Sequence, residues 1–310
     1  MLESVNTDKA RNSCNASKWT RSQQSIDVMM RWLFIVSAVL VSIVVFSIII
    51  FVGLQGLKTF QDVFTGPVFF FSGEWTPSQN KFGAFFLFFV QHFIVNVSFR
   101  TFFSVPLALS GAVFLAKIAP NWMREIMRPA TDLFVGIPSV VYGLIGLTVI
   151  VPTLGKIFHN IGYGILPAAI ILAIMIMPTI LSISEDAIRT LPRGLEEASL
   201  ALGATRWQTI WRVQIPASLP GILTAIILGM GRAIGETMAV FMVIGNSPKL
   251  PKSLMDSTTV LTTAIVKDMG YTQYGTTWNN ALYLMALVLM IVSLLLILII
   301  RIVARRNEIK

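Results

Sequence analysis

The sequence predicts an all-α membrane protein with six transmembrane helices and both termini in the cytoplasm. Hydrophobic residues make up 55% of the chain and charged residues 13%, whereas soluble domains carry about 25% charged residues. A run of roughly 20 apolar residues is long enough to cross the hydrocarbon core of a bilayer. Six such runs occur, at about 32–54, 84–116, 132–152, 164–184, 217–245 and 279–302.

The distribution of Lys and Arg predicts the orientation, because basic loops stay in the cytoplasm. With the N-terminus inside, the inner segments hold sixteen of the 24 basic residues and the outer segments hold six. The polar lead is too long for a cleaved signal peptide, and so is the apolar run after it. We therefore expect a cytoplasmic tail at 1–31, a first anchor helix at 32–54 and a second cytoplasmic tail at 303–310.

The segment 55–83 is predicted to lie on the outer side. Apolar residues from Leu57 to Phe64 follow helical spacing, which is typical of a short helix lying in the membrane interface. Aromatic residues favour that interface. The pattern therefore predicts that the belt continues through Phe69, Phe70, Phe71 and Trp75. A partner-binding role for these residues is the alternative.

Metal and nucleic-acid sites are not expected. Cys14 is the one cysteine, and His92 and His159 are the two histidines, which excludes a cysteine-based or histidine-rich metal site. The basic residues are not clustered with aromatic residues on a soluble face, as nucleic-acid binding would require. The net charge of +9 is therefore mostly a sign of topology.

The largest inner connection, about 185–215, predicts a helical hairpin. Gly203 suits the position just past the first helix, where a left-handed backbone favours glycine. Thr205 and Gln208 have the spacing of a capping box that begins the second helix. Trp207, Ile210 and Trp211 then share one helix face. That face either packs against the inner ends of the spans or fills a groove on another protein.

Two charged residues, Arg232 and Glu236, lie inside the fifth apolar run. A charge at the bilayer centre costs about 2.5–3.5 kcal/mol on insertion scales, so a buried ionisable residue indicates function. Positions i and i+4 share one face of a continuous helix. We therefore expect the two side chains to pair with each other.

Four ordered motifs resemble one transporter family. The hairpin resembles the EAA loop of ATP-binding-cassette (ABC) importer permeases, with Glu197-Ala198-Ser199, Gly203 and Val213-Gln214-Ile215-Pro216. Three further segments, Gly136–Gly143, Ile176–Ala187 and Gly231–Val240, are similar to those of the phosphate importer permeases PstC and PstA, the last being closer to PstC. The resemblance implies a type I ABC importer (MetI-like) permease domain at 84–302, in a bacterial inner membrane.

The family also implies partners and site residues. A PstA-type permease, two PstB-type ATPase subunits and a PstS-type phosphate-binding protein would complete the importer. The resemblance implies that the chain itself hydrolyses nothing and binds no cofactor, and this fits the absence of the Gly-x-x-x-x-Gly-Lys-Ser/Thr loop that cradles nucleotide phosphates. The expected ATPase-coupling residues are Glu197, Ala198, Gly203, Trp207, Trp211 and Pro216. The expected lining of the phosphate path is Arg232, Glu236 and Thr237.

The proline that follows the hairpin, Pro216, is predicted to prevent a continuous helix between the hairpin and the fifth span. Several alternatives stay open. Arg232 and Glu236 could form a purely structural salt bridge, and the chain could be a PstA-type subunit or a permease for another oxyanion. An anion channel and an intramembrane enzyme are more distant alternatives. The second run departs from the family through Gln91, His92, Asn96 and Arg100, and structural pairing of Arg100 is the preferred interpretation.

Overall fold

The computed structural model describes residues 2–61, 69, 71–73, 75–77, 81–85, 87 and 99–308. Helix α1 (Leu2–Leu57) forms a compact unit of its own up to Leu54. From Ile26 onward its side chains are nearly all exposed, and Ile26–Phe60 is apolar enough to cross a membrane. From Leu2 the helix runs without a break through the rest of the predicted tail and through the predicted anchor at 32–54.

The second unit, Gln55–Lys310, contains the other spans. Within the described residues it has four helices long and apolar enough to cross a membrane, Ser139–Phe158, Ile165–Arg189, Arg206–Ile234 and Thr277–Leu295. Of the second predicted run, the structure describes residues 84, 85 and 87 at its start and, from residue 99 on, helix α2 (Phe99–Val113) and a π-helical turn (Phe114–Ile118). The predictions for Gln91, His92, Asn96 and the Arg100 side chain fall outside the described residues.

The predicted bounds of the third apolar run, 132–152, were wrong. Helix α3 (Asn121–Gly136) ends inside it, and a second helical stretch, Ser139–Phe158, begins after Pro138. That stretch consists of α4 (Ser139–Ile145), a π-helical turn and α5 (Val151–Phe158). Proline disfavours a helical backbone at the preceding residue, and Ile137 is accordingly extended, with ψ of 129°.

Helix α6 (Ile165–Arg189) lies at the centre of the main hydrophobic core. It is apolar on most of its circumference, as expected of a span surrounded by other helices. Its buried residues pack with those of the fifth span and its neighbours, including Leu172, Met175, Ile176, Ile180, Tyr142, Ala225, Ala233, Val240 and Val243. The glycine at 229 permits this approach, because a Cβ there would lie 2.7 Å from Ile180 Cγ1.

The second helix of the hairpin and the fifth span form one continuous helix from Arg206 to Ile234, which we call the rod. It consists of α8 (Arg206–Thr209), a π-helical turn (Ile210–Gln214) and α9 (Ile215–Ile234). The predicted interruption at Pro216 is therefore wrong. Ile215 donates its N–H to Ile210 O, five residues back, and this wider turn accommodates a proline ring that would clash with the carbonyl four residues back in a regular helix.

The fifth predicted run, 217–245, was also wrong, because the rod ends at Ile234 and the chain turns at Gly235. A short helix, α10 (Met238–Val243), follows. Helix α7 (Arg193–Ala201), before the rod, completes the hairpin.

The outer connections build a small cap that the sequence did not predict. Strands β1 (Trp75–Thr76) and β2 (Lys81–Phe82) pair antiparallel, with Trp75 opposite Phe82. Both aromatic residues pack against α11 (Leu261–Met269) and α12 (Thr277–Glu308) in a second core cluster. Trp75 Nε1 donates to Asp268 Oδ2 over 2.8 Å.

The predicted interfacial belt was therefore wrong at two of its aromatic residues. Phe69 is 1% exposed and Trp75 is 3% exposed, because both belong to the core of the cap, whereas Phe71 is 82% exposed. Phe70 lies outside the described residues. Of the predicted interfacial helix, the structure describes a 3-10 turn at Lys58–Phe60.

Candidate functional site

The hairpin turn has the geometry that its sequence predicted. Gly203 lies just past α7 with φ of +83°, a conformation that residues with a Cβ rarely adopt. Gln208 N donates to Thr205 Oγ1 over 3.3 Å, and Thr205 N donates to Gln208 Oε1 over 2.9 Å. This reciprocal capping box fixes where the rod begins.

The two helices of the hairpin meet through small polar side chains. The hydroxyl groups of Ser199 and Thr209 form a buried hydrogen bond of 2.9 Å. Ile210 is buried beside them, so the prediction that it shares a face with the tryptophans was wrong. The π-helical turn begins at Ile210.

The outer face of the hairpin is aromatic and exposed. Trp207 is 58% exposed and Trp211 is 53% exposed. Their rings meet edge to face with centroids 5.7 Å apart, the arrangement that aromatic pairs prefer. Glu197 and Ala198 of α7 are exposed as well. Among the described residues, nothing covers this face, so packing against the inner ends of the spans does not account for it.

A charged anchor that the sequence did not predict holds the hairpin to the second span. Lys117, in the π-helical turn after α2, pairs with Glu196 at 2.9 Å. Gln214 Nε2 donates to the same Glu196 oxygen over 2.9 Å. The Lys117 hydrogen bond lowers the pKa of the Glu196 carboxyl below its ordinary value, with the Lys117 charge, Gln214 and the Arg206 charge adding to the effect and burial opposing it.

Arg232 lies two residues before the end of the rod and is partly buried. Its Nη1 donates to Val135 O over 3.0 Å and to Thr179 Oγ1 over 3.5 Å. Val135 is in the last turn of α3, where the helix dipole places negative partial charge that stabilises a cation. Arg232 thus joins the rod to α3 and α6.

The expected pair between Arg232 and Glu236 is wrong. The rod ends at Ile234, so the two residues do not share a helix face. Among the described residues, no carboxylate lies within ion-pair distance of Arg232. Its Nε and Nη2 also meet no acceptor in the described part of the chain. The guanidinium group therefore keeps donors that are not used within this chain.

Glu236 and Thr237 lie in the turn after the rod. Glu236 is buried, and its Oε1 accepts a hydrogen bond of 3.1 Å from Ala239 N in the first turn of α10. A carboxylate at a helix N-terminus is favoured by the free N–H groups there. Thr237 Oγ1 donates to Gly235 O over 3.2 Å. Glu236 is thus held by the start of α10.

The rod connects the exposed tryptophans with Arg232. It comprises 29 residues, about 43 Å at 1.5 Å per residue. Trp207 and Trp211 lie at one end and Arg232 at the other, and Pro216 lies within the first turn of α9. The second hairpin helix and the segment that carries Arg232 are therefore parts of one helix. Within the described residues, no group of three or more His, Cys, Asp or Glu side chains could hold a metal ion.

Comparisons with known proteins cover most of the chain. Residues 104–309 match a family described as binding-protein-dependent transport system inner membrane component. The chain is 45% identical to a probable ABC transporter permease protein, YqgH, of Bacillus subtilis, over 85% of this chain and 86% of that protein. It is 36% identical to the phosphate transport system permease protein PstC of Xylella fastidiosa, over 78% of this chain and 79% of that protein.

A solved structure has the same fold. The chain is similar to a chain of the bacterial alginate ABC transporter in complex with its pentasaccharide-bound periplasmic protein. The TM-score is 0.62 and the identity is 18%, over 90% of this chain and 96% of that one. At this identity the likeness concerns the fold alone. It confirms the predicted fold class, an all-α protein with several membrane-spanning helices.

Proposed function

The chain belongs to the binding-protein-dependent transport system inner membrane component family, and on that premise we propose that it is a permease subunit of an ATP-driven phosphate importer. It is a multi-pass protein of the bacterial inner membrane. In this role it forms part of the path for phosphate and connects that path to a separate ATPase. The identity to PstC proteins supports phosphate as the substrate and PstC as the subunit type.

The observation that carries the proposal is the rod. Its first turns display an aromatic face that nothing else in the described chain covers, and its last turn holds Arg232 against α3 and α6. A helix transmits displacement along its axis without absorbing it, because each turn is hydrogen-bonded to the next. An event at the hairpin therefore reaches the three-helix junction around Arg232.

The hairpin is the proposed docking site of the ATPase. Exposed tryptophans are typical anchors of protein interfaces, and Trp207 and Trp211 lie beside the exposed Glu197 and Ala198. Gly203 sets the angle between the two hairpin helices, and Pro216 lies where the docking surface continues into the span. The absence of a phosphate-cradling loop supports the use of ATP by the partner, and in the proposed role this chain binds no cofactor and catalyses no reaction.

Arg232 is the proposed phosphate contact. Guanidinium donates in a planar fork that matches phosphate oxygens and stays charged at physiological pH. Its Nη1 donates to a backbone carbonyl and a hydroxyl, both neutral, which leaves the positive charge and the Nε and Nη2 donors for a passing anion. Glu236 acts at a distance by repelling the anion and so limits how tightly phosphate is retained. Weak retention suits transport, because a site that binds too tightly does not release. Thr237 follows Glu236 in the same turn.

The remaining subunits follow from the family. We expect a PstA-type permease, two PstB-type ATPase subunits and a PstS-type phosphate-binding protein, with the lipid bilayer as surroundings and no nucleic acid. The test is labelled phosphate uptake by the four-component system in liposomes, with and without ATP, challenged by sulfate, phosphonate and arsenate. ATP-dependent uptake that sulfate does not inhibit supports the proposal. Flux without nucleotide would indicate a channel, and inhibition by sulfate would indicate a permease for another oxyanion.

A further inference from the structure

A row of polar contacts, which we call the ladder, joins α3 to α6 on the hairpin side of Arg232. Arg128 Nη2 pairs with Asp186 Oδ1 at 2.6 Å. Ser182 Oγ donates to Asp132 Oδ1 over 3.2 Å. The partners ascend along α3 while they descend along α6, each by four residues, so the two helices run antiparallel and the contacts follow one face of each.

The contacts of Arg232 complete the ladder. Arg232 Nη1 donates to Val135 O of α3 and to Thr179 Oγ1 of α6. Val135 lies seven residues after Arg128, and Thr179 lies seven residues before Asp186. Seven residues of helix span about 10 Å. The ladder therefore extends about 10 Å from Arg232 toward the end of α6 that leads into the hairpin.

The ladder is open on the side that this chain does not cover. The side chain of Arg128 is 41% exposed and that of Asp186 is 52% exposed, and Asp132 is exposed as well. Helix α6 is long and apolar enough to cross a membrane. Polar side chains of a span face the protein interior or a water-filled cavity and not lipid. The ladder therefore faces a space that this chain lines on one side.

The apolar side of α3 lies elsewhere. Leu133 follows Asp132 directly and is 74% exposed. Successive residues of a helix point about 100° apart, so Leu133 does not share the side of the ladder. Trp122 and Ile126 are exposed on that apolar side too. Helix α3 thus presents a polar side to α6 and the open space, and an apolar side suited to lipid.

The charges of the ladder balance. Two guanidinium groups, those of Arg232 and Arg128, lie at its ends, and two carboxylates, those of Asp132 and Asp186, accompany them. An anion on the ladder therefore meets a cation at each end and a carboxylate between them. Weak retention of this kind suits passage, because a site that binds too tightly does not release.

The neighbouring charges are engaged elsewhere. Arg189 Nη1 pairs with Glu185 Oε1 at 3.2 Å. Arg124 donates to three backbone carbonyls that precede α3. Glu125 is exposed in the second turn of α3. Among these charged side chains, none contacts the ladder within the described residues, so the ladder keeps its own balance of charge.

Given the phosphate path proposed above, on which this step rests, we propose that the ladder is the inner section of that path. Arg128 is a second guanidinium contact for phosphate, inward of Arg232. Its Nε and Nη1 meet no acceptor in the described part of the chain, and a guanidinium fork matches phosphate oxygens. One phosphate ion is too small to bridge contacts about 10 Å apart, so it passes from one arginine to the other. Asp132 repels it between them, and Asp186 competes with it for Arg128.

Cysteine labelling tests whether the ladder faces water. In the Cys14→Ser background, Asp132→Cys and Ser182→Cys are introduced singly into the complete transporter. Inside-out membrane vesicles are treated with a membrane-impermeant anionic methanethiosulfonate, and labelling of this chain is measured by mass. Both thiols should react, and modification of Ser182→Cys should block ATP-driven phosphate uptake. Leu133→Cys is the matched control. It should react at least about tenfold more slowly, because lipid excludes a charged reagent, and its modification should leave uptake unchanged.

Charge substitutions test the role of Arg128. Labelling rates at Ser182→Cys are compared for an anionic and a cationic reagent. Asp186→Asn should raise the anionic rate and Arg128→Gln should lower it, each by about threefold for one charge about 6 Å away in water. Lys156→Gln removes an exposed charge off the ladder and should change neither rate. Asp186→Asn and Arg128→Gln break the same ion pair, so a purely structural pair predicts equal loss of uptake. A phosphate contact predicts the larger loss for Arg128→Gln.

Two results would overturn the proposal. One is labelling of Leu133→Cys as fast as that of Asp132→Cys and Ser182→Cys. The other is equal loss of uptake in Asp186→Asn and Arg128→Gln with unchanged labelling rates. ATP-dependent phosphate uptake together with an unreactive Ser182→Cys would contradict the ladder and leave the proposed function intact. A reactive ladder in a transporter that does not carry phosphate would contradict the proposed substrate and leave the ladder as the path of another anion.

Discussion

The two ends of the rod hold their key side chains in opposite ways. At the hairpin end, polar side chains bind each other, through the Lys117–Glu196 pair and the Ser199–Thr209 hydrogen bond, and an aromatic face stays exposed. At the other end, Arg232 donates to a backbone carbonyl and a hydroxyl and has no carboxylate partner among the described residues. The first arrangement preserves the shape of a surface, and the second preserves an accessible charge.

The largest effect is expected where the hairpin loses its shape. Proline fixes φ near −65°, whereas Gly203 requires +83°, so Gly203→Pro should abolish ATP-driven phosphate uptake and leave membrane insertion intact. The measurement is uptake in proteoliposomes, with membrane-inserted protein quantified in parallel. Gly194→Ala is the matched control, because Gly194 also faces open space but has no positive φ. Unaltered transport in Gly203→Pro would remove the hairpin from the mechanism.

A smaller effect is expected for Arg232→Lys, which keeps the positive charge but loses the planar set of donors of the guanidinium group. Arg232→Lys retains one positive charge but only point-like donors. Hydrogen bonds to charged groups contribute about 1.5–3 kcal/mol, so uptake should fall by roughly one to two orders of magnitude. Arg212→Lys, at an exposed position on the same rod, should leave uptake unchanged. If Arg232→Lys transports at the wild-type rate with equal protein level, bidentate recognition of phosphate by Arg232 is wrong.

Breaking the Lys117–Glu196 pair, which holds the hairpin to the second span, should reduce transport modestly. Exchanging the two charges should restore it. The Glu196 side chain is 42% exposed and that of Lys117 is 19% exposed, and exposed pairs contribute about 0.2–1 kcal/mol. Lys117→Glu or Glu196→Lys alone should lower the phosphate transported per ATP hydrolysed by at most about fivefold, and the double exchange should restore it. Glu197→Lys makes the same charge change at a neighbouring exposed residue, and Lys117→Glu should not rescue it. If Lys117→Glu restored transport in Glu196→Lys and in Glu197→Lys alike, the interaction between Lys117 and Glu196 would not be specific.

The smallest expected effect is the pH dependence of the stability that the Glu196 carboxylate contributes. The folded-state pKa of Glu196 is lowered from 4.5, so its contribution to stability is present above 4.5 and is lost as pH falls through the lowered value. The difference in unfolding midpoint between the wild type and Glu196→Gln should be constant from about pH 6 to about pH 8 and should shrink below about pH 4.5. A difference that changes across the neutral range would mean that Glu196 titrates there and is not stabilised by Lys117.

Local patterns predicted the hairpin well, and distant contacts explain what they missed. Gly203, Thr205 and Gln208 determine their geometry within a few residues, so spacing was sufficient to predict the turn and the capping box. Glu196 was missed because its partner Lys117 is 79 residues away in the chain. Trp75 was assigned to the membrane interface because nothing local predicts its hydrogen bond to Asp268, 193 residues away.

The error at Arg232 has a different cause. The i to i+4 argument requires a continuous helix, and the rod ends at Ile234, so Glu236 turns toward α10 instead. The opposite error occurred at Pro216, where a break was expected and a π-helical turn keeps the helix continuous. Both errors concern the continuity of a helix. Continuity depends on the backbone of a single turn, and the length of a hydrophobic run does not determine it.

The rod should move as one body, and spin labels measure this directly. Cys14 is the one native cysteine, so Cys14→Ser gives a background for labels at Arg212→Cys and Leu228→Cys, both exposed positions on the rod. Their backbone separation is about 24 Å at 1.5 Å per residue, and it should not change between nucleotide-free and ATP-bound transporter. The distance from Arg212→Cys to Lys156→Cys, off the rod, should change. A changed distance within the rod, or an unchanged distance to Lys156→Cys, would contradict transmission of hairpin movement to Arg232.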